Sequence, residues 1–144
     1  MNKSRKNSIY FLFFCFVLLL VGCSNDITPK DENYIAKVSD FEENIFTSSK
    51  NQSIGLFEGS LKIKGIYDKE AKRKSSLDEI IASISAETGN DQVEKTFSNA
   101  EIKTENDKYF ITADEGINLV FTKVGERIIK DEEGMEFSSP KYSN

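Results

Sequence analysis

The chain has no histidine and no tryptophan, and only two cysteines and two prolines among its 144 residues. Each shortage removes a class of function. Without histidine there is no imidazole base, no imidazole metal ligand and no Ser–His or Cys–His nucleophile pair. Both cysteines, Cys15 and Cys23, precede residue 24, so the rest of the chain has neither a disulfide nor a Cys/His zinc site. Basic residues are also in deficit. Nineteen Lys and Arg against 24 Asp and Glu leave a formal charge of −5, which argues against the basic face a nucleic-acid binder needs. What is present is ordinary for one folded domain: 38% hydrophobic and 30% charged, with no repeat of 20–50 residues.

The N-terminus differs from all that follows. Lys3, Arg5 and Lys6 form a positive segment, and no acidic residue precedes Asp26. Ile9 to Leu20 is then an unbroken apolar run of twelve residues, well short of the roughly 20 that span a bilayer core. A short apolar segment behind positive charge, ending in small residues, reads as a secretory signal peptide over residues 1–22. Leu20-Val21-Gly22-Cys23 resembles the lipobox of bacterial lipoproteins. That resemblance implies a diacylglyceryl thioether on Cys23 and cleavage by signal peptidase II between Gly22 and Cys23. Two acyl chains, at about 0.8 kcal/mol per buried methylene, give a stable anchor where one is marginal. Cleavage removes Lys3, Arg5 and Lys6, leaving 16 basic against 24 acidic residues, formally −8. Anionic headgroups repel such a chain, so the lipid and not its charge has to hold it at the bilayer.

Residues 23–33 read as the lipidated cysteine and a polar tether. Ten residues reach at most about 35 Å when extended. The single domain is expected over 34–138, with a frayed tail at 139–144. Tyr34, Ile35, Val38, Phe41, Ile45 and Phe46 follow helical spacing, with Thr28 as a cap and Pro29 at the first position. Leu61, Ile63 and Tyr67 alternate with Lys62, Lys64 and Ile66 as a strand does, and Glu58-Gly59 offers either a hairpin turn or a bulge. Ser76 with Glu79 three residues on fits a capping box, ahead of an apolar stripe at Leu77, Ile80, Ile81 and Ile84. From Val93 onward, short alternating segments separated by turns predict an antiparallel meander. The expected fold class is thus α+β: two short helices with a small antiparallel meander sheet, after an N-terminal signal peptide.

Acidic clusters are the first candidates for chemistry: Glu42-Glu43, Asp114-Glu115 and Asp131-Glu132-Glu133. Acid–base catalysis needs carboxylates in contrasting environments, whereas the last two clusters sit beside glycines in expected turns. None has the spacing of a calcium loop. Lys69, Lys72, Arg73 and Lys74 form a basic cluster that reads as a solvated loop, or as a contact for lipid phosphate or an anionic wall polymer. Ser138 and Lys141 share the Ser-x-x-Lys spacing of some hydrolases, but in a polar tail. Phe41, Phe46, Phe57, Tyr67, Phe97, Tyr109, Phe110 and Phe121 read as core, or as the lining of an apolar cavity if the sheet curls.

The sequence therefore predicts a non-catalytic binding or interaction module, lipid-anchored on the extracytoplasmic face of a cell membrane. Its Lys/Asn/Ile-rich composition favours a Gram-positive host. The membrane, reached through Cys23, is the expected partner together with an unidentified envelope protein or ligand; nucleic acid, metal and cofactor are not expected. Two alternatives stand beside this: a carboxylate-based surface enzyme acting on envelope glycans, and a precursor whose cleaved signal peptide yields a pheromone.

Overall fold

The computed structural model describes residues 34–42 and 44–140. The signal segment 1–22, Gly22 and Cys23 at the cleavage site, the tether 24–33 and Lys141 lie outside the described residues. Residues 33–144 form a compact unit of their own.

Nine strands and one α-helix make up that unit. They are β1 (Ile45–Ser48), β2 (Ser53–Phe57), β3 (Ser60–Ile66), α1 (Asp78–Thr88), β4 (Gln92–Phe97), β5 (Glu101–Glu105), β6 (Lys108–Ala113), β7 (Ile117–Gly125), β8 (Ile128–Asp131) and β9 (Glu136–Ser138). All strands join one sheet in the order β4-β3-β2-β1-β9-β8-β7-β6-β5, curled into an antiparallel half-barrel. Neighbours in sequence are neighbours in space at every step but one. β4 and β5 are the two edges, while β1 and β9 pair in the middle with Thr47 opposite Ser138 and Ser48 opposite Phe137.

Alternation decides which side chains face inward. Tyr109 stands opposite Phe121 and Ile111 opposite Leu119; Ile54 stands opposite Ile63 and Leu56 opposite Leu61. These inward rows form the core with Phe46, Val93, Phe97, Ile129, Met135 and Phe137. The aromatic rings meet at tilted or edge-on angles, with centroids 4.8 Å apart for Phe41–Phe46, 5.1 Å for Phe41–Tyr109 and 5.5 Å for Phe121–Phe137. Helix α1 packs on β3 and β4 and buries Ile81 and Ile84, with Leu77 just ahead of it. A methyl group at Gly65 would overlap Ile81 Cδ1, so the glycine lets the end of Ile81 settle directly on the strand backbone, and a larger residue would have to push it aside.

The α+β expectation of two helices and a small meander is overturned: the sheet dominates, and α1 is the one α-helix among the described residues. The expected first helix over 34–46 is instead extended chain, a single 3₁₀ turn (Val38–Asp40) and strand β1. Its apolar residues do not share a face. Phe41 and Phe46 are buried, whereas Ile35, Val38 and Ile45 are among the most exposed large apolar residues. Ile45 to Ser48 alternates exposed and buried, a period of two that a pair of neighbouring apolar residues had concealed. Pairing with β2 and β9 outweighs weak local helix propensity.

From β3 onward the strands lie close to the expected alternating segments, and Glu58-Gly59 is the hairpin turn, with φ of 47° and 73° as a two-residue I′ turn requires. Helix α1 is capped one residue earlier than expected. Ser75, not Ser76, is the cap: its Oγ accepts from Leu77 N–H at 3.2 Å, and Asp78 Oδ2 accepts from Ser75 N–H at 2.9 Å. At the C-terminus, Ser139 is buried and anchored by Arg127, whose Nε donates to Ser139 O at 3.1 Å and whose Nη2 donates to Pro140 O at 2.7 Å. The frayed tail expected from residue 139 is therefore held over its first two residues.

Candidate functional site

Each sequence candidate among the described residues has a place in this fold. Asp114 and Glu115 form the turn between β6 and β7. The Asp114 carboxylate accepts from the Asn99 amide at 2.9 and 3.1 Å, and Glu115 pairs with Lys95 at 2.7 Å. Asp131 is not a solvated turn residue. It is buried at the end of β8 and accepts from Ser76 N–H (2.7 Å), Met135 N–H (2.7 Å) and Ser75 Oγ (3.1 Å), so it ties the start of α1 to the β8–β9 turn. Glu132, Glu133 and Glu42 are exposed, and the side chain of Glu43 lies outside the described residues. Lys69, Lys72, Arg73 and Lys74 are exposed on the connection between β3 and α1. Ser138 is exposed on β9. Among the aromatics, Phe41, Phe46, Phe97, Tyr109 and Phe121 are core. Tyr67 is half-buried against it, and Phe57 and Phe110 lie half-buried on their strands.

Two carboxylates with displaced titration serve as struts. Burial pushes the Asp40 carboxyl up, but Lys123 Nζ at 2.8 Å, the Tyr109 hydroxyl at 2.5 Å and Lys37 N–H at 2.9 Å outweigh it, and it sits below its ordinary 3.8. Burial and the Asp40 carboxylate push the Tyr109 phenol far above its usual range. Burial likewise raises Asp78, yet Lys50 Nζ (2.5 Å), Gln52 Nε2 (2.6 Å) and Ser75 N–H hold it low. Asp78 and Asp131 converge on Ser75. Their oxygens are taken by backbone N–H, hydroxyl, amide and ammonium donors of the fold, which is positioning chemistry.

The outer face of β1–β4 is different: it holds a groove of about 460 Å³ lined by Ile45, Ser53, Gly55, Phe57, Ser60, Lys62, Lys64, Glu94 and Thr96. Antiparallel register builds it. Ile45, Gly55, Lys62 and Thr96 form one row across four strands, and Ser53, Lys64 and Glu94 form the next. A Cβ at Gly55 would fall 2.8 Å from Phe57 Cε2 and 3.3 Å from Asn44 O, so the Phe57 ring folds down over the bare glycine backbone. Lys62 Nζ lies 2.5 Å and Lys64 Nζ 3.8 Å from the Glu94 carboxylate. The hydrogen bond and charge of Lys62 hold Glu94 below the usual carboxylate range. Sequence reading placed Lys62 and Lys64 on the solvent side of a strand through their alternation with Leu61 and Ile63. It missed Gly55 and Glu94, because only the β2–β3–β4 register brings them beside those lysines.

Among the described residues no group of three or more Cys, Asp or Glu side chains is placed to hold a metal, and no helix is long and apolar enough to cross a membrane. Comparison of the chain with protein-family models, curated proteins and solved structures returns no match.

Proposed function

We propose that this chain is an extracytoplasmic lipoprotein, anchored through a diacylglyceryl group on Cys23, whose half-barrel is a non-catalytic binding module at the cell surface. The observation that carries the reading is the run Leu20-Val21-Gly22-Cys23 at the end of a twelve-residue apolar segment behind three positive charges. The compact unit supports it. Residues 33–144 carry their own core without a cysteine, as a domain released from its signal at Cys23 must. A binding role is supported by the chemistry of the two faces. The carboxylates Asp40, Asp78 and Asp131 are engaged in holding the fold, and the outer face offers a groove with an apolar floor and a polar rim.

A Cys23→Ser substitution, followed by membrane fractionation and intact-mass measurement, tests the anchor. The expected result is a native membrane-bound species that starts at a diacylated residue 23, and a variant that loses the lipid mass and leaves the membrane fraction. An unmodified full-length native chain overturns the reading.

A further inference from the structure

We propose that the groove on the outer face of β1–β4 binds an acidic glycan, with a sugar ring seated on Phe57 and its anionic group held by Lys62 and Lys64. The placement of that glycan in the cell envelope rests on the function proposed above; the site itself does not.

Three features select this ligand. The first is the floor. Phe57 lies over Gly55 beside Ile45, giving an aromatic and aliphatic surface of the kind that packs against the C–H face of a pyranose. The second is the rim, where the hydroxyls of Ser53, Ser60 and Thr96 supply donors and acceptors that sugar hydroxyls match and a hydrocarbon does not. The row across four strands spans about 14 Å, the length of a short oligosaccharide.

The third feature is charge. Two lysines share the one carboxylate of Glu94, so the groove lining carries +1 while the whole chain carries −5. Both ammonium groups remain open to solvent, with side-chain exposures of 44% and 51%. The groove is thus a net positive patch on a net negative chain, and unlike the exposed Lys72-Arg73-Lys74 run it sets its charge beside an aromatic floor. A bilayer surface fits less well. The adjoining hollow lined by Val38, Leu56 and Phe57 carries Glu42 and Glu58, and a layer of anionic headgroups pressed over Phe57 meets those carboxylates as like charge. A ligand confined to the groove avoids them.

The test uses the soluble chain from residue 24 onward, since residues 33–144 form a unit with its own core. Calorimetric titration compares a short oligogalacturonate, a phosphodiester-linked sugar oligomer, a neutral oligomaltose and phosphatidylglycerol vesicles. The expected result is that at least one acidic oligomer binds about tenfold or more tighter than the neutral one. Binding weakens by about tenfold in the Lys62→Gln/Lys64→Gln variant and also falls in Phe57→Ala. Both lysine side chains lie at the surface, Lys62 half-buried and Lys64 exposed, so the double variant keeps its thermal midpoint and remains informative even if Phe57→Ala fails to fold. Equal affinity for acidic and neutral oligomers, no affinity for either acidic one, binding to vesicles alone, or binding untouched by the lysine substitutions overturns the proposal. Because no arm involves Cys23, failure here leaves the lipid anchor standing, and loss of the anchor leaves this result standing.

Discussion

Asp40 shows how much of this fold depends on single polar side chains. It sits in a 3₁₀ turn near the surface and joins the segment ahead of β1 to the far half of the sheet through Tyr109 on β6 and Lys123 on β7. Lys123 is only 11% exposed and also donates to Ile35 O at 3.2 Å, so removing its carboxylate leaves a largely buried ammonium short of a partner. Asp40→Asn is expected to cost about 2 kcal/mol at neutral pH, the scale of a lost charge-assisted bond with an uncompensated cation. The pH dependence has a definite sign. A carboxyl held below its ordinary 3.8 in the folded protein gives stability that is complete above that ordinary value and is lost as pH falls through the lower folded one. Denaturant unfolding of both proteins at pH 7 and near pH 3 should therefore show the gap between them closing on acidification. A gap of constant size would remove Asp40 from the strut.

At the level of elements, helix α1 depends on two contacts that sequence pattern locates only in part. Its cap is Ser75, while the Ser76 hydroxyl is buried without a hydrogen-bond partner. Ser75→Ala is expected to lower stability by about 1–2 kcal/mol, and Ser76→Ala to leave it within about 0.5 kcal/mol or raise it; the reverse order in thermal unfolding would restore the Ser76–Glu79 box. Docking of the helix depends on Gly65. Gly65→Ala drives a methyl group into Ile81 Cδ1 and to 3.3 Å from Gln52 Cγ, with an expected cost of about 1–3 kcal/mol. The second substitution Ile81→Val removes the clashing carbon and should recover part of that loss in a double-mutant cycle.

The same elements show what a sequence discloses. Strands β6 and β7 were legible because Tyr109 and Ile111, then Ile117, Leu119 and Phe121, recur at every second position between turn signals. The hairpin was half legible: Glu58-Gly59 left a turn and a bulge open, and the left-handed backbone of both residues decides for the turn. Strand β1 was not legible. Four residues carry too little periodicity, and Tyr34, Phe41 and Phe46 fit a helix until the β2 and β9 partners are known. The groove was half legible for the same reason: alternation puts Lys62 and Lys64 outward, but Glu94 joins them across 30 residues or more of chain, through register alone.

Across the whole molecule, the order of strands turns an N-terminal and a C-terminal strand into neighbours at the centre of the sheet and leaves β4 and β5 as edges. Their connection is only Ser98-Asn99-Ala100. It is a corner held by Ala100 N–H to Gly59 O at 2.8 Å and Asp114 N–H to Ser98 O at 3.0 Å, and not a ladder. Lys95 adds a strut there, bridging Glu87 on α1 and Glu115 on the β6–β7 turn at 3.2 and 2.7 Å. The natural chain must therefore pair Thr47 with Ser138 by closing a loop of some 90 residues, whereas its unpaired edges are joined by three.

Circular permutation inverts that arrangement. A chain opened between Asn99 and Ala100, with Pro140 linked to Tyr34 by about ten Gly and Ser residues, reads its strands in their spatial order from β5 to β4. Arg127 Nη2 donates to both Asn44 Oδ1 and Pro140 O, each at 2.7 Å, so the chain just past β9 already lies beside the residue just ahead of β1, and ten linker residues can extend about 35 Å to reach Tyr34. The loop between β9 and β1 then falls to roughly a quarter of its natural length, which lowers the closure cost by about 1 kcal/mol. The permutant is expected to reach the same far-ultraviolet spectrum and to refold about fivefold faster in stopped-flow dilution from urea, since non-local pairing limits the folding of sheets. Slower refolding, or a permutant that does not fold, would mean that the corner at Ser98–Ala100 nucleates the sheet and that pairing of β1 with β9 is a late event.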